Sequence, residues 1–158
     1  MSTRCNLIVE DSYDRIQLYR HWDGYPGRAG GVLATLEQAI PYAWPFPRFE
    51  ASDFAAAIVR AWKIEGGGNI YIDGSPKAWE LIHGDTEWVY VIKPKKQART
   101  KQGVEDTDAG EPLVEVYDWH KYWLDKADPD KGKPKPVLRV ALSEARKAGL
   151  EWKDKQTA

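Results

Sequence analysis

One cysteine, one methionine, three histidines and three phenylalanines occur in 158 residues. A lone Cys5 excludes an internal disulfide framework and a cysteine-based zinc knuckle. Next to an apolar run, it is expected to be a reduced, buried thiol. Long apolar stretches are missing too. The opening "MSTRCNLIVED" has an apolar run of three, against about 7 to 15 in a signal peptide. Nothing approaches the roughly 18 to 20 apolar residues of a membrane span, so a cytoplasmic protein without membrane contact is expected. An excess of one charge is also absent: 23 Lys and Arg face 24 Asp and Glu, a net charge of −1. Gripping duplex nucleic acid by bulk charge needs a basic surface, so that class is set aside, although a local basic patch remains compatible. No Gly-x-Ser-x-Gly elbow occurs. "GGGNIYIDGSPK" has glycines and a lysine without P-loop spacing, and its strand follows the glycines.

Large aromatics are plentiful. Eight Trp and eight Tyr stand in a chain that is 42% hydrophobic and 30% charged. Such a chain can bury one core, and its length is that of one domain. A single α+β domain over 1–158 is expected.

"CNLIVED" and "RIQLYRHW" alternate apolar and polar residues around "DSYD", which predicts a β-hairpin. A loop of Asp11 to Asp14 pairs Glu10 with Arg15, Val9 with Ile16, Leu7 with Leu18, Asn6 with Tyr19 and Arg4 with His21. One face then carries Leu7, Val9, Ile16 and Leu18, and the other Arg4, Asn6, Tyr19 and His21; a slip of one residue would undo the sorting. After "DGYPGRAGG", Leu33, Leu36 and Ile40 recur at helical spacing until Pro41. "SDFAAAIVRAWKIEGGG" predicts a helix with Ser52 or Asp53 as N-cap, a face of Phe54, Ile58, Ala61 and Glu65, and a glycine stop.

"NIYIDG" predicts a strand. "KAWELIHGDTEWVYVIKP" predicts a second hairpin turning at Gly84-Asp85, with Trp79 opposite Tyr90 and Leu81 opposite Trp88. Residues 94–112, basic and then acidic, are expected to be a mobile loop. "PLVEVYDWHKYW" predicts another strand, and 137–149 a C-terminal helix with Leu138, Leu142 and Ala145 inward. The sum is a mainly antiparallel sheet of about six strands, with two to three helices packed on one face.

His21-Trp22-Asp23 and His83-Gly84-Asp85, with Glu87 beyond, share a spacing that could place imidazole and carboxylate on one ion. That suggests a metal-assisted hydrolase or nuclease. Asp-Gly and Gly-Asp are also ordinary turn dipeptides, so the leading expectation assigns no catalytic residue, metal or cofactor. It is a recognition rim of Arg4, Tyr19, Arg20, His21, Asp23 and Tyr25, with His83, Asp85, Glu87 and Trp88 as secondary candidates. Arginine, histidine and tyrosines suit a phosphate, a carboxylate or a stacked base. The same cluster could instead be a polar network that ties the loop to the sheet.

"STRCNLIV", "LYRHWDGYPG", "DFAAAIV" and "HGDTEWVYVI" together resemble a group of small proteins of bacteriophages, prophages and bacterial genomes. The resemblance covers about residues 2–93. It falls on Ser2, Thr3, Arg4, Tyr19, Arg20, His21, Asp23, Gly24, Tyr25 and Pro26, then Gly84, Asp85 and Glu87, with Trp88 where the pattern has a tyrosine. The group has no assigned chemistry to carry over. The phage setting implies an accessory binding protein in the host cytosol. It would inhibit a host defence system by binding a protein complex or by sequestering a small anionic, nucleotide-like ligand. A homodimer and a structural or assembly module are further expectations.

Overall fold

The computed structural model describes residues 3–64, 69–73, 85–95, 111–124 and 134–153. The first hairpin forms in the expected register. Strand β1 (Cys5–Glu10) pairs antiparallel with β2 (Arg15–Arg20), Glu10 opposite Arg15 and Leu7 opposite Leu18. Asp11 makes the turn: its Oδ1 accepts the Tyr13 and Asp14 backbone N–H groups, each at 2.8 Å. Such local bonds are why aspartate favours turns.

Helix α1 (Val32–Thr35) tightens into a 3-10 segment, Leu36–Tyr42, that contains Pro41. The apolar spacing places the helical region, but not its change of pitch. Helix α2 (Ala51–Lys63) follows. Neither Ser52 nor Asp53 caps it. Asp53 lies in the first turn and accepts the Trp44 N–H at 2.8 Å, and Asp11 Oδ2 accepts the Ala51 N–H at 2.8 Å. The hairpin turn thus satisfies one of the helix's free donors from outside the helix. Phe54, Ile58 and Ala61 are buried as the periodicity requires, and Glu65 lies outside the described residues.

Strand β3 (Ile70–Ile72) pairs with β2. Strand β4 (Trp88–Lys93) lies parallel to β1 and antiparallel to β5 (Leu113–Asp118). Both edges of β4 are therefore occupied, which overturns the expected pairing of Trp88 and Tyr90 with Leu81 and Trp79; residues 74–84 themselves lie outside the described set. Alternation identifies a strand but not its neighbour. The charged stretch 94–112 also lies almost wholly outside.

Beyond β5 two expectations fail for local reasons. Asp118 ends the strand and caps α3 (Trp119–Leu124), its Oδ1 accepting the Lys121 N–H at 2.9 Å. Residues 138–141 are not helical but form edge strand β6 (Leu138–Ala141), and only then does α4 (Leu142–Leu150) begin. The β-branched Val137 and Val140 suit an edge strand better than a helix.

The fold is α+β. A six-stranded sheet of order β3-β2-β1-β4-β5-β6 has one parallel pair, β1 with β4. Helices α1, α2 and α4 and the 3-10 segment share one core with Cys5, Leu7, Val9, Leu18, Tyr90, Ile92 and Val116. The opposite face buries Ile8, Val89, Val91, Tyr117 and Trp119, the first residue of α3. The four α-helices of the described residues therefore do not all share one face.

Candidate functional site

Arg20, Cys5, Trp88 and Asp118 form one row across the sheet, each paired with the next. Since β1 and β4 run one way and β2 and β5 the other, the row marks the starts of two strands and the ends of two. The segments that leave this row meet at one end of the sheet.

The loop after β2 is fixed there from several sides. Gly24 donates its N–H to Thr3 O at 2.9 Å and accepts the Tyr90 hydroxyl at 2.7 Å. A Cβ on Gly24 would lie 2.8 Å from Thr3 O, so only glycine fits. Asp23 and Arg28, on either side of 24–27, have φ of 58° and 68°. Aspartate tolerates the left-handed region better than arginine does.

Arg20, one of the sequence candidates, is buried within this scaffold. Its strand position points it into the core, where it is 5% exposed. Its guanidinium donates to Trp22 O, Gly30 O and Thr35 Oγ1 at 3.0 to 3.3 Å and lies 4.2 Å from the centre of the Trp62 ring.

The other sequence candidates separate into two groups. On the sheet face away from α2, Arg4 Nε forms an ion pair with Asp85 Oδ2 at 3.1 Å. The Tyr19 hydroxyl donates to the same Asp85 oxygen at 3.1 Å and lies 3.3 Å from His21 Nδ1. An ionised carboxylate only accepts, so the Tyr19 proton points at Asp85 and the Tyr19 oxygen is left to accept from His21 Nδ1–H. Burial first, and then the Asp85 charge, hold the Tyr19 phenol well above its usual pKa. Arg4, Tyr19, His21 and Asp85 are thus engaged with one another at the strand ends. His83 lies outside the described residues.

The second group lines a cavity of about 360 Å³ at the same end of the sheet, with walls from Thr3, Tyr25, Pro26, Gly27, Arg28, Glu87, Trp88, Asp118, His120 and Trp152. Tyr25, Glu87 and Trp88 were candidates from sequence. Asp23 supports this group from outside, accepting the Tyr25 hydroxyl at 3.2 Å. Burial and Asp23 raise the Tyr25 pKa. The Arg28 guanidinium carbon sits 5.4 Å from the centre of the Tyr25 ring. Trp152 stands edge-on to Trp88 and packs so closely on Gly27 that a Cβ there would lie 2.9 Å from its own Cβ.

Comparison with protein-family models, curated proteins and solved structures finds no match for this chain. Among the described residues no three His, Cys, Asp or Glu are placed to hold a metal ion, and no helix is long and apolar enough to cross a membrane.

Sequence reasoning missed Arg28, Asp118, His120 and Trp152. Arg28 follows the quoted loop directly, and "YDWHKYW" holds one of only three histidines. The second segment could not be joined to the loop without the β1–β4 and β4–β5 pairings. The cavity combines one guanidinium, one imidazole, two carboxylates and the rings of Tyr25, Trp88 and Trp152, an arrangement suited to a small, flat, polar ligand.

Proposed function

We propose that the protein is a non-catalytic binding module that holds one small, nucleotide-like ligand in the cavity at the end of the sheet. The observation that carries this reading is the contrast between the two polar groups. Arg4, Tyr19, His21 and Asp85 are engaged with one another. Arg28, Glu87 and His120 line a ligand-sized space, and their charged or ring groups make no ion pair or hydrogen bond with the described residues. Aromatic walls offer surface to a base, and Arg28 offers a fork of donors to a phosphate. The volume falls in the usual range for small-molecule sites, about 300 to 1,000 Å³.

The resemblance to phage and prophage proteins supplies a use for such binding: sequestering the ligand would deprive a host defence system of its signal. Thermal shift and calorimetry with linear and cyclic mononucleotides test the proposal, with nucleosides and inorganic phosphate as controls. A nucleotide that binds at one site per chain, and is lost in Arg28→Ala, is the expected result. No response to any nucleotide would contradict it.

A further inference from the structure

Glu87 differs from the other carboxylates around it. Its backbone is held at three points: its N–H donates to Arg4 O at 3.0 Å, and its carbonyl accepts the Trp119 and His120 N–H groups at 3.0 and 3.1 Å. These bonds join β1, β4 and α3 and fix where the side chain starts. Yet its carboxylate, half-buried in the cavity wall, has no ion pair or hydrogen bond with the described residues. The neighbouring carboxylates are engaged: Asp23 with Tyr25, Asp85 with Arg4 and Tyr19, Asp118 with the Lys121 N–H. A well-positioned acceptor that the fold itself leaves unused is suited to a donor on the ligand.

We infer that Glu87 is the specificity-determining residue of the cavity and selects a guanine nucleotide. The inference rests on the nucleotide-like ligand proposed above. An ionised carboxylate has two parallel oxygens that only accept. Guanine alone among the common bases presents two adjacent donors on its pairing edge, N1–H and the N2 amine. Adenine and cytosine each set one amine beside a ring nitrogen acceptor, which would put lone pair against lone pair. Uracil has a single N–H between two carbonyls. Arg28, in the same cavity lining, takes the phosphate as a fork of donors. A site with an acceptor that must be paired rejects analogues without the donor more strongly than it rewards the correct one.

Calorimetry with GMP, IMP and AMP on the whole chain tests this. GMP is expected to bind tightest. IMP, which lacks the N2 amine, should bind about tenfold or more weaker, and AMP at least as weakly. Glu87→Gln keeps the size of the side chain and leaves the three backbone bonds in place, and an unchanged melting temperature verifies the fold. Its amide presents one acceptor and one donor, the pattern that matches adenine, so the preference should move from GMP toward AMP. GMP and AMP binding within about threefold of each other in the wild type, or an unchanged ratio in Glu87→Gln, overturns the inference. If another nucleotide binds instead and is lost in Arg28→Ala, the assignment of guanine falls while the cavity reading stands. If no nucleotide binds, both fall.

Discussion

Trp152 meets Trp88 edge-on, with ring centroids 5.9 Å apart and planes at 87°. This contact joins the residues after α4 to the first residue of β4, and Gly27 packs against Trp152. The cavity therefore depends on a part of the chain far in sequence from residues 25–28 and 87–88 that line its other walls. Trp152→Ala should lower stability by about 2 to 3 kcal/mol, somewhat below the cost of removing a fully buried Trp, and abolish ligand binding. Trp152→Phe should recover most of the stability. Urea midpoints of the three proteins check both statements.

Arg28 is held at φ 68°, a region that costs an L-residue roughly 1 to 2 kcal/mol. Arg28→Gly removes that strain and adds unfolded-state entropy, so it should be as stable as the wild type or more stable by at most about 1 kcal/mol. It should also lose the ligand. A gain in melting temperature together with a loss of affinity would mark strain kept at a functional position. A destabilised Arg28→Gly would show that the guanidinium's work is structural.

Arg20 is expected to behave in the opposite way. Its three hydrogen bonds and its stacking on Trp62 need a planar fork, which lysine does not supply. Arg20→Lys should therefore destabilise by about 2 to 3 kcal/mol, a lost buried charge-assisted network. At temperatures where the variant remains folded, its affinity for the ligand should change little. Chemical denaturation and calorimetry together separate the two effects.

Alkaline pH should weaken the fold from a defined point. Burial pushes the Cys5 thiol up to about 12 from an ordinary 9.0. Burial also raises the phenols of Tyr19, Tyr25, Tyr71, Tyr90 and Tyr117 above 10.0. Each group keeps its proton longer folded than unfolded. The stability this represents is complete below about pH 9 and is lost as pH rises from about 9 toward 12. Urea midpoints should be level in mildly alkaline buffer and fall above pH 9, and Cys5→Ala should delay the first part of the fall. The native thiol should also resist alkylating reagents at neutral pH.

Much of the scaffold could be read from local pattern. The period-2 alternation of β1 and β2, with "DSYD" between them, gave the hairpin register residue by residue. The same register brought Arg4, Tyr19 and His21 to one face, where the structure adds Asp85. The parallel pairing of β1 with β4 was not legible, because both strands are buried on both faces and no short turn connects them. That one pairing decides the site: it sets Glu87 and Trp88 beside Thr3, and through β5 brings Asp118 and His120 there as well. About six strands were expected and the sheet of the described residues has six, but the membership differs. Leu138–Ala141 reads as helix by spacing and becomes an edge strand through its pairing with β5. Strand alternation already turns Arg20 away from Tyr19 and His21; its partners Trp22 O, Gly30 O, Thr35 and Trp62 come from packing that local pattern does not show.

The most direct test of the cavity as a ligand site is native mass spectrometry of the wild-type protein and of Arg28→Ala, both purified from bacterial cells under mild conditions. The wild type is expected to carry one added mass, that of a single nucleotide, which is released on denaturation and absent from the variant. A wild-type protein that appears only at its bare mass, even after incubation with a nucleotide mixture, or an added mass that persists in Arg28→Ala, would contradict it.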